Sequence, residues 1–542
     1  MRVHVLYWCC VCYVCGKVFV KRTHVKSGGR VLTYLQLMES YRDGARTRQR
    51  LVKKLGRADL VDPVEIDRLI RSLAPYGSVP VGSGLDLADV DLDPGFEYGS
   101  LLALDHVWNE VGLPEILSDL AAVRRFSFDA ASVVKAIVFG RVRKPGSERA
   151  LVSAWLSGVY APEFTGIELQ HAYRILAFLA EISPELEARL ARVLIDQLFL
   201  DATLVLFDTT STYVGGLGPE GLANFGYSRD KRGDRPQANL GLLTSREGYP
   251  LAHWLFPGKQ SDVKSMALAS REFRERLALA SFVVVADRGM VSEANLQALR
   301  EEGITYIIAE RLRRKTAFEA LARAGRYKRV TSTIEVKEIK RDGLERVILC
   351  RNQERAAEDA ETRQAILQHL EQSLEQGSWR ENLKPAAKRY LKVDGTDARL
   401  DVKRIEADAR YDGKWILRTT TNLPAGDVAL AYRGLWRVEN AFRTLKTPLE
   451  LRPIHHTSEP GVRGHVQSCV LAYLLTCILQ DRLDKANLGL NVNDALDQLA
   501  RIQRVPTQAG DHHLIKTTRP NTQQRAILDA IGAPNPPQHE AA

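Results

Sequence analysis

With 542 residues the chain is too long for a single core, since cores rarely grow past roughly 250–300 residues, and several domains are expected. Hydrophobic residues at 45% and charged residues at 26% fit a globular protein and exclude a disordered or fibrous one. The formal net charge of +10 favours a polyanionic partner, nucleic acid first, although a basic enzyme without such a partner has the same balance.

Residues 1–18 are apolar and hold four of the seven cysteines, Cys9, Cys10, Cys12 and Cys15. No second cysteine or histidine pair follows at zinc-ligand spacing, so no zinc is expected, and this stretch reads as a nonnative leader. No run of about eighteen uncharged apolar residues occurs, so neither a membrane-spanning helix nor a membrane partner is expected. The scattered remaining cysteines suit a reducing, cytoplasmic setting.

Residues 19–73 form an N-terminal basic region: a strand pair, then a basic helical segment over 42–55 with Arg46, Arg48, Arg50, Lys53 and Lys54. Residues 74–98, rich in Gly, Pro and Asp, read as a linker. Residues 99–199 are helical throughout, broken at Pro114, Pro145-Gly146 and Pro184, and read as a DNA-binding domain. Its Arg124, Arg125, Arg141, Arg143 and Lys144 either reach phosphates or form a solvated basic face.

Residues 200–310 alternate between strands and helices. The apolar run 204–207 leads into Asp208, and a basic loop with Tyr227, Arg229, Lys231 and Arg232 follows. A hairpin spans 238–256, a helix 262–280, and a second apolar run, 282–286, ends at Asp287 beside Arg288. A helix over 292–302 and a strand over 306–308 complete a mixed five-stranded sheet with flanking helices, an α/β fold. Residues 311–424 read as a β-rich insertion. Its hairpin signals are Asp342-Gly343 and Asp412-Gly413, the latter between strands 401–410 and 415–420, and a charge-rich helix over 353–376 lies between them.

The core resumes over 425–485. Residues 427–446 predict one helix with a buried stripe of Val428, Ala431, Leu435, Val438, Phe442 and Leu445. A second stripe holds Tyr432, Trp436, Glu439, Arg443 and Lys446. An apolar helix over 466–483 follows, and residues 486–542 form a C-terminal region whose Pro-rich tail frays from Pro534. Three acids brought together from Asp208, Asp287 and Glu439 would bind divalent cations and act on phosphodiesters.

These residues resemble a DDE-type insertion-sequence transposase with an RNase H-like core. The family in question carries its Glu in the pattern Tyr-x2-Arg-x3-Glu-x6-Lys, with a β-strand insertion ahead of it. Tyr432, Glu439 and Lys446 fit at the right steps, whereas the Arg position is Leu435. Arg443, Arg433 or Arg437 would supply the missing charge. The stretches around Asp208, Arg229 and Asp287 also look like this family's motifs.

The resemblance implies two Mg²⁺ or Mn²⁺ ions on Asp208, Asp287 and Glu439, nicking at element ends, and strand transfer into target DNA. It implies double-stranded DNA as partner, a homodimer on that DNA, and action at the nucleoid. Tyr432 and Lys446 would hold phosphates, with Arg288, Arg443, Arg229, Lys231 and Arg232 as further DNA contacts, and Trp436 would stack on an unpaired base. A nuclease that cuts without joining and a transposase-derived DNA-binding protein remain the alternatives.

Overall fold

The computed structural model describes residues 18–541 except 28–29, 44–45, 74–89, 93, 227, 261, 278, 280, 291, 311–324, 341–344, 381–382, 384, 396 and 510–511. The cysteine-rich leader, most of the expected linker and Tyr227 lie outside the described residues. Two compact units separate: residues 1–92 with 507–513, and residues 93–506 with 514–542.

In the first unit, β1 (Val18–Ser27), β2 (Arg30–Asp43) and β3 (Arg46–Arg57) form an antiparallel sheet, followed by the helix Pro63–Leu73. Residues 46–57 are therefore a strand, not the helix expected over 42–55. An Asp43-Gly44 dipeptide between two β-compatible runs is a hairpin signal, and pairing with β2 along the length of β3 outweighs helix propensity. A short strand, β4 (Val90–Leu92), lies within the expected linker.

The second unit opens on β5 (Phe96–Glu97) and the helices Gly99–Glu110, Leu113–Ala122, Ala130–Arg143 and Leu169–Gln197. Pro184 does not break the last of these: the helix runs through it. A buried face with Ile175, Leu176, Leu179, Ile182 and Leu186 outweighs the one backbone bond a proline removes. The apolar helix Glu459–Lys485 packs against it so closely that a Cβ on Gly464 would fall inside the Leu176 carbonyl. This helix is long and apolar enough to cross a membrane, yet most of it is buried in the fold.

The strands that follow are β6 (Leu204–Tyr213), β7 (Gln237–Ser245), β8 (Pro250–Pro257), β9 (Val283–Ala286) and β10 (Thr305–Glu310). They pair in the order β8-β7-β6-β9-β10, with β6, β9 and β10 parallel and β7 antiparallel to both β6 and β8. The sheet is not five-stranded, however. From the insertion come β11 (Lys328–Arg329), β12 (Ile334–Lys340) and β13 (Arg346–Asn352), the latter two pairing as the expected hairpin, then the helix Gln353–Glu375. After a small hairpin of β14 (Leu391–Asp394) and β15 (Asp397–Leu400), β16 (Lys414–Thr419) returns between β13 and β10. Four insertion strands thereby extend the core into one nine-stranded mixed sheet.

Residues 402–409, expected as a strand, form a helix, because the Asp401 side chain caps it by accepting the Arg404 amide at 3.1 Å. The expected single helix over 427–446 is two, Ala425–Arg433 and Trp436–Lys446. At the corner, Leu435 N–H bonds the Tyr432 carbonyl and Arg437 N–H bonds the Gly434 carbonyl, a one-residue tightening of the ladder. The buried stripe survives it: Val428, Ala431, Leu435, Val438, Phe442 and Leu445 are all buried. Near the C-terminus come β17 (Gln503–Ala509), β18 (His512–Thr517) and the helix Thr522–Ile531. The tail then ends in β19 (His539–Ala541), paired with β18, rather than fraying from Pro534.

Candidate active site

Asp208 lies within β6, not at its end. The strand continues through Thr209–Thr212, whose buried side chains pair across to β7. What ends is its neighbour: β9 stops at Ala286, paired with Phe207, so Asp208 and Asp287 take the next positions on adjacent parallel chains. Such chains lie about 4.8 Å apart, which puts both half-buried carboxylates on one face at the point where the sheet opens. That face of β6 meets the helix corner, since a Cβ on Gly434 would touch Leu206 at 3.6 Å.

The helix Trp436–Lys446 packs on β6 and β7 and carries Glu439, exposed, in its first turn. Asp208, Asp287 and Glu439 line one cavity of about 1180 Å³, together with Arg288, Tyr432 and Trp436. Its opposite wall comes from the insertion and includes Arg355, Arg363, Asp412 and Lys414. Burial holds the Lys414 ammonium below its ordinary pKa, helped by the charges of Arg351 and Lys337.

Two contacts bind the Glu439 segment to the strands bearing the other acids. The Tyr432 hydroxyl donates to Asp287 Oδ1 at 2.8 Å. Burial, then the charges of Asp287 and Glu439, push that phenol well above its ordinary pKa, so it stays a neutral donor. Seven residues beyond Glu439, the Lys446 ammonium donates to Thr210 Oγ1 at 2.7 Å and to Asp230 Oδ1 at 3.0 Å. Thr210 shares the face of Asp208, two residues along β6. Burial lowers the pKa of Lys446, and only 9% of its side chain meets solvent, while Asp230 also pairs with Arg452.

The remaining expected DNA contacts are dispersed. Arg443 bonds Asn440 at 3.4 Å and does not line the cavity, and Arg437 lies over the Trp436 ring at 5.0 Å. Arg433 does line the cavity, so the corner brings forward an arginine six residues before Glu439. Trp436 is 57% exposed. Arg229 and Lys231 are exposed, and Arg232 forks onto Asp234 at 2.8 Å beside a second cleft, lined by Tyr213, Asp230, Lys446 and Arg452.

Sequence reasoning missed Glu310, which closes the apolar run 306–309 as Asp287 closes its own, and which lines the cavity while buried. The signal that found Asp287 applies to it equally. The partnership of Lys446 with Thr210 and Asp230 left no local trace.

Among the described residues, the trio whose ligand atoms all lie within 4.8 Å of one another is Glu148, His456 and His465. Arg141 occupies it, donating to Glu148 Oε1 at 2.8 Å and to His465 Nδ1 at 2.9 Å, while His465 Nε2 donates to the Leu451 carbonyl at 3.1 Å. A guanidinium already fills the place a cation would take, so this is a buried ion-pair network. Arg143 likewise bonds Glu97, at 2.6 Å. Neither arginine is available to phosphates.

A sequence model of the family described as "Transposase DDE domain" matches residues 195–475, just over half the chain and the stretch that holds all three acids. The chain belongs to the DDE-type insertion-sequence transposases. The transposase also matches, over residues 20–78, the N-terminal domain of the IS1634 family transposases. It accordingly carries out metal-dependent cleavage and transfer of DNA. Comparison with curated proteins gave no match. Among solved structures, the transposase is similar to a piggyBac transposase synaptic complex with hairpin DNA, at 10% identity and a TM-score of 0.35, covering 80% of this chain and 79% of that one.

Proposed function

We propose that Asp208, Asp287 and Glu439 are the catalytic acids of this transposase, set on an RNase H-like core formed by β8-β7-β6-β9-β10. The observation that carries this reading is that three acids from distant segments line one cavity where adjacent parallel strands part. Carboxylate oxygens suit hard cations such as Mg²⁺ or Mn²⁺. Carboxylates contributed by three separate segments, with phosphate oxygens completing the shell, suit a pair of such ions.

Bound there, the ions supply an activated water or 3′-hydroxyl and stabilise the leaving oxygen. The chain's own task is placement. Tyr432 holds one oxygen of Asp287 and so fixes how the other is presented, while Lys446 anchors the Glu439 helix to Thr210 beside Asp208. We assign both as positioning residues, because the hydroxyl is engaged by Asp287 and the ammonium by Thr210 and Asp230. Arg433, Arg288 and Trp436 face the cavity and are left to meet DNA. Paired element ends call for two copies, so the active species is a homodimer on duplex DNA, acting at the nucleoid.

The test uses Asp287→Asn and end-bearing duplex, with and without Mg²⁺, resolving nicked, hairpin and joined products. The variant is expected to bind ends and yield none of the three; wild-type cleavage by it overturns the assignment.

A further inference from the structure

Residues 18–57 hold eleven lysines and arginines against two acids, a formal +9, when the whole chain carries +10. Nearly all of the basic excess thus sits on one three-stranded sheet, and the register sorts it by face. Arg22 and Lys26 of β1 alternate with half-buried Lys21, Thr23 and Val25 and are exposed. Across β2, the same face carries Leu37, Glu39 and Tyr41, paired in β3 with Lys53, Arg50 and Arg48. Five cations therefore share a face with one described acid, Glu39, which Arg50 engages at 2.7 Å. Between them stand apolar groups open to solvent: Val18, Val20 and Val31 are 53%, 54% and 59% exposed. The other face includes the buried Met38 and half-buried Phe19, Val25 and Leu32.

We propose that the Arg22–Lys26–Arg48–Lys53 face is a docking surface for the backbone of duplex DNA. This extends the DNA-acting reading above to a surface outside the catalytic cavity. A sheet of three strands is roughly 10 Å across, and ten residues of strand run roughly 33 Å. Those dimensions match a major groove about 12 Å wide and one duplex turn of about 34 Å. Cations spaced along such a strip neutralise phosphates, and the valines between them exclude water without reading bases. An acidic protein surface would be met by charge too, but it offers no regular groove to match.

The experiment measures binding of the full-length protein to a labelled end-bearing duplex and to a scrambled duplex of equal length, across a KCl series. The quadruple variant Arg22→Ser, Lys26→Ser, Arg48→Ser, Lys53→Ser is compared with Lys21→Ser, Lys54→Ser on the opposite face. We expect the quadruple variant to flatten the slope of log K against log salt by about 3 to 4, at roughly 0.9 per phosphate, on both duplexes. The opposite-face pair should leave the slope near wild type, and Arg22→Lys, Arg48→Lys should retain it. Thermal melts of each variant verify folding. Asp287→Asn should keep the wild-type slope on both duplexes while losing cleavage, which separates this surface from the acids. An unchanged slope, or an equal loss in the opposite-face pair, overturns the proposal, as does a loss confined to self-association in sedimentation.

Discussion

The two sheets of this protein are built on opposite principles. The N-terminal sheet has three long strands, one bare face and a formal +9; the catalytic sheet has nine strands, buried on most positions, in a remainder of the chain that is nearly neutral. Affinity for a polyanion needs many cations kept in water, where each costs little to hold. Cutting a phosphodiester needs a few anions fixed on a stiff, partly dry base, where a surplus of nearby cations would neutralise them. The chain separates the two demands by segment.

Changes at the acids should break that division most sharply. Asp287→Asn should lower cleavage on the order of 10³-fold or more, as loss of several kcal/mol of cation-borne stabilisation implies, with the salt slope of binding unchanged. Lys446→Met comes next: freeing the Glu439 helix from Thr210 should slow cleavage by up to about 100-fold. Its salt slope should stay at the wild-type value, and a slope shallower by about one would return Lys446 to the phosphate contacts. Tyr432→Phe should cost roughly 10–100-fold and raise the Mg²⁺ concentration for half-maximal cleavage, as loss of a group that orients a metal ligand does. If cleavage falls but the Mg²⁺ midpoint holds, the hydroxyl serves DNA and not Asp287.

The smallest expected effect concerns stability. Burial and the neighbouring Arg141 charge hold the His465 pKa down, to about 4, against an ordinary value near 6.5. Between those values the unfolded chain takes up a proton that the folded one refuses, so stability falls as pH drops from 6.5 toward 4. Glu148 adds to this at lower pH. Burial alone would raise its pKa, but a hydrogen bond from His456 and the Arg141 charge hold it far below the carboxylate range. Thermal melts from pH 7.5 to 4.5 should show the decline, and His465→Gln should flatten its upper part. A melting temperature constant over that range would refute the account.

Asp287 was legible as a candidate because an apolar strand that ends in an acid is costly without a partner, and Glu439 because Tyr432, Glu439 and Lys446 repeat at two helical turns. Asp208, by contrast, lies inside β6 and not at the strand end that singled it out. Local chemistry also announced the β12–β13 hairpin and the buried stripe around Val438. What escaped was nonlocal. Whether residues 46–57 pair as a strand depends on β2, since basic residues at alternate positions suit a helix surface as well as a strand. The return of β16 into the core joins residues more than a hundred positions apart, and Asp230 lies 216 positions from Lys446. Position along the chain carries no record of such partners.

The return of β16 between β10 and β13 sets a limit on dissection. Because β16 hydrogen-bonds to β10 along Ile307–Glu310, trimming residues 311–424 to obtain a minimal nuclease would strip a parallel strand of its cover and leave an unpaired apolar edge. Bare edges of that kind recruit other chains, so a shortened version should precipitate where the intact protein stays dispersed.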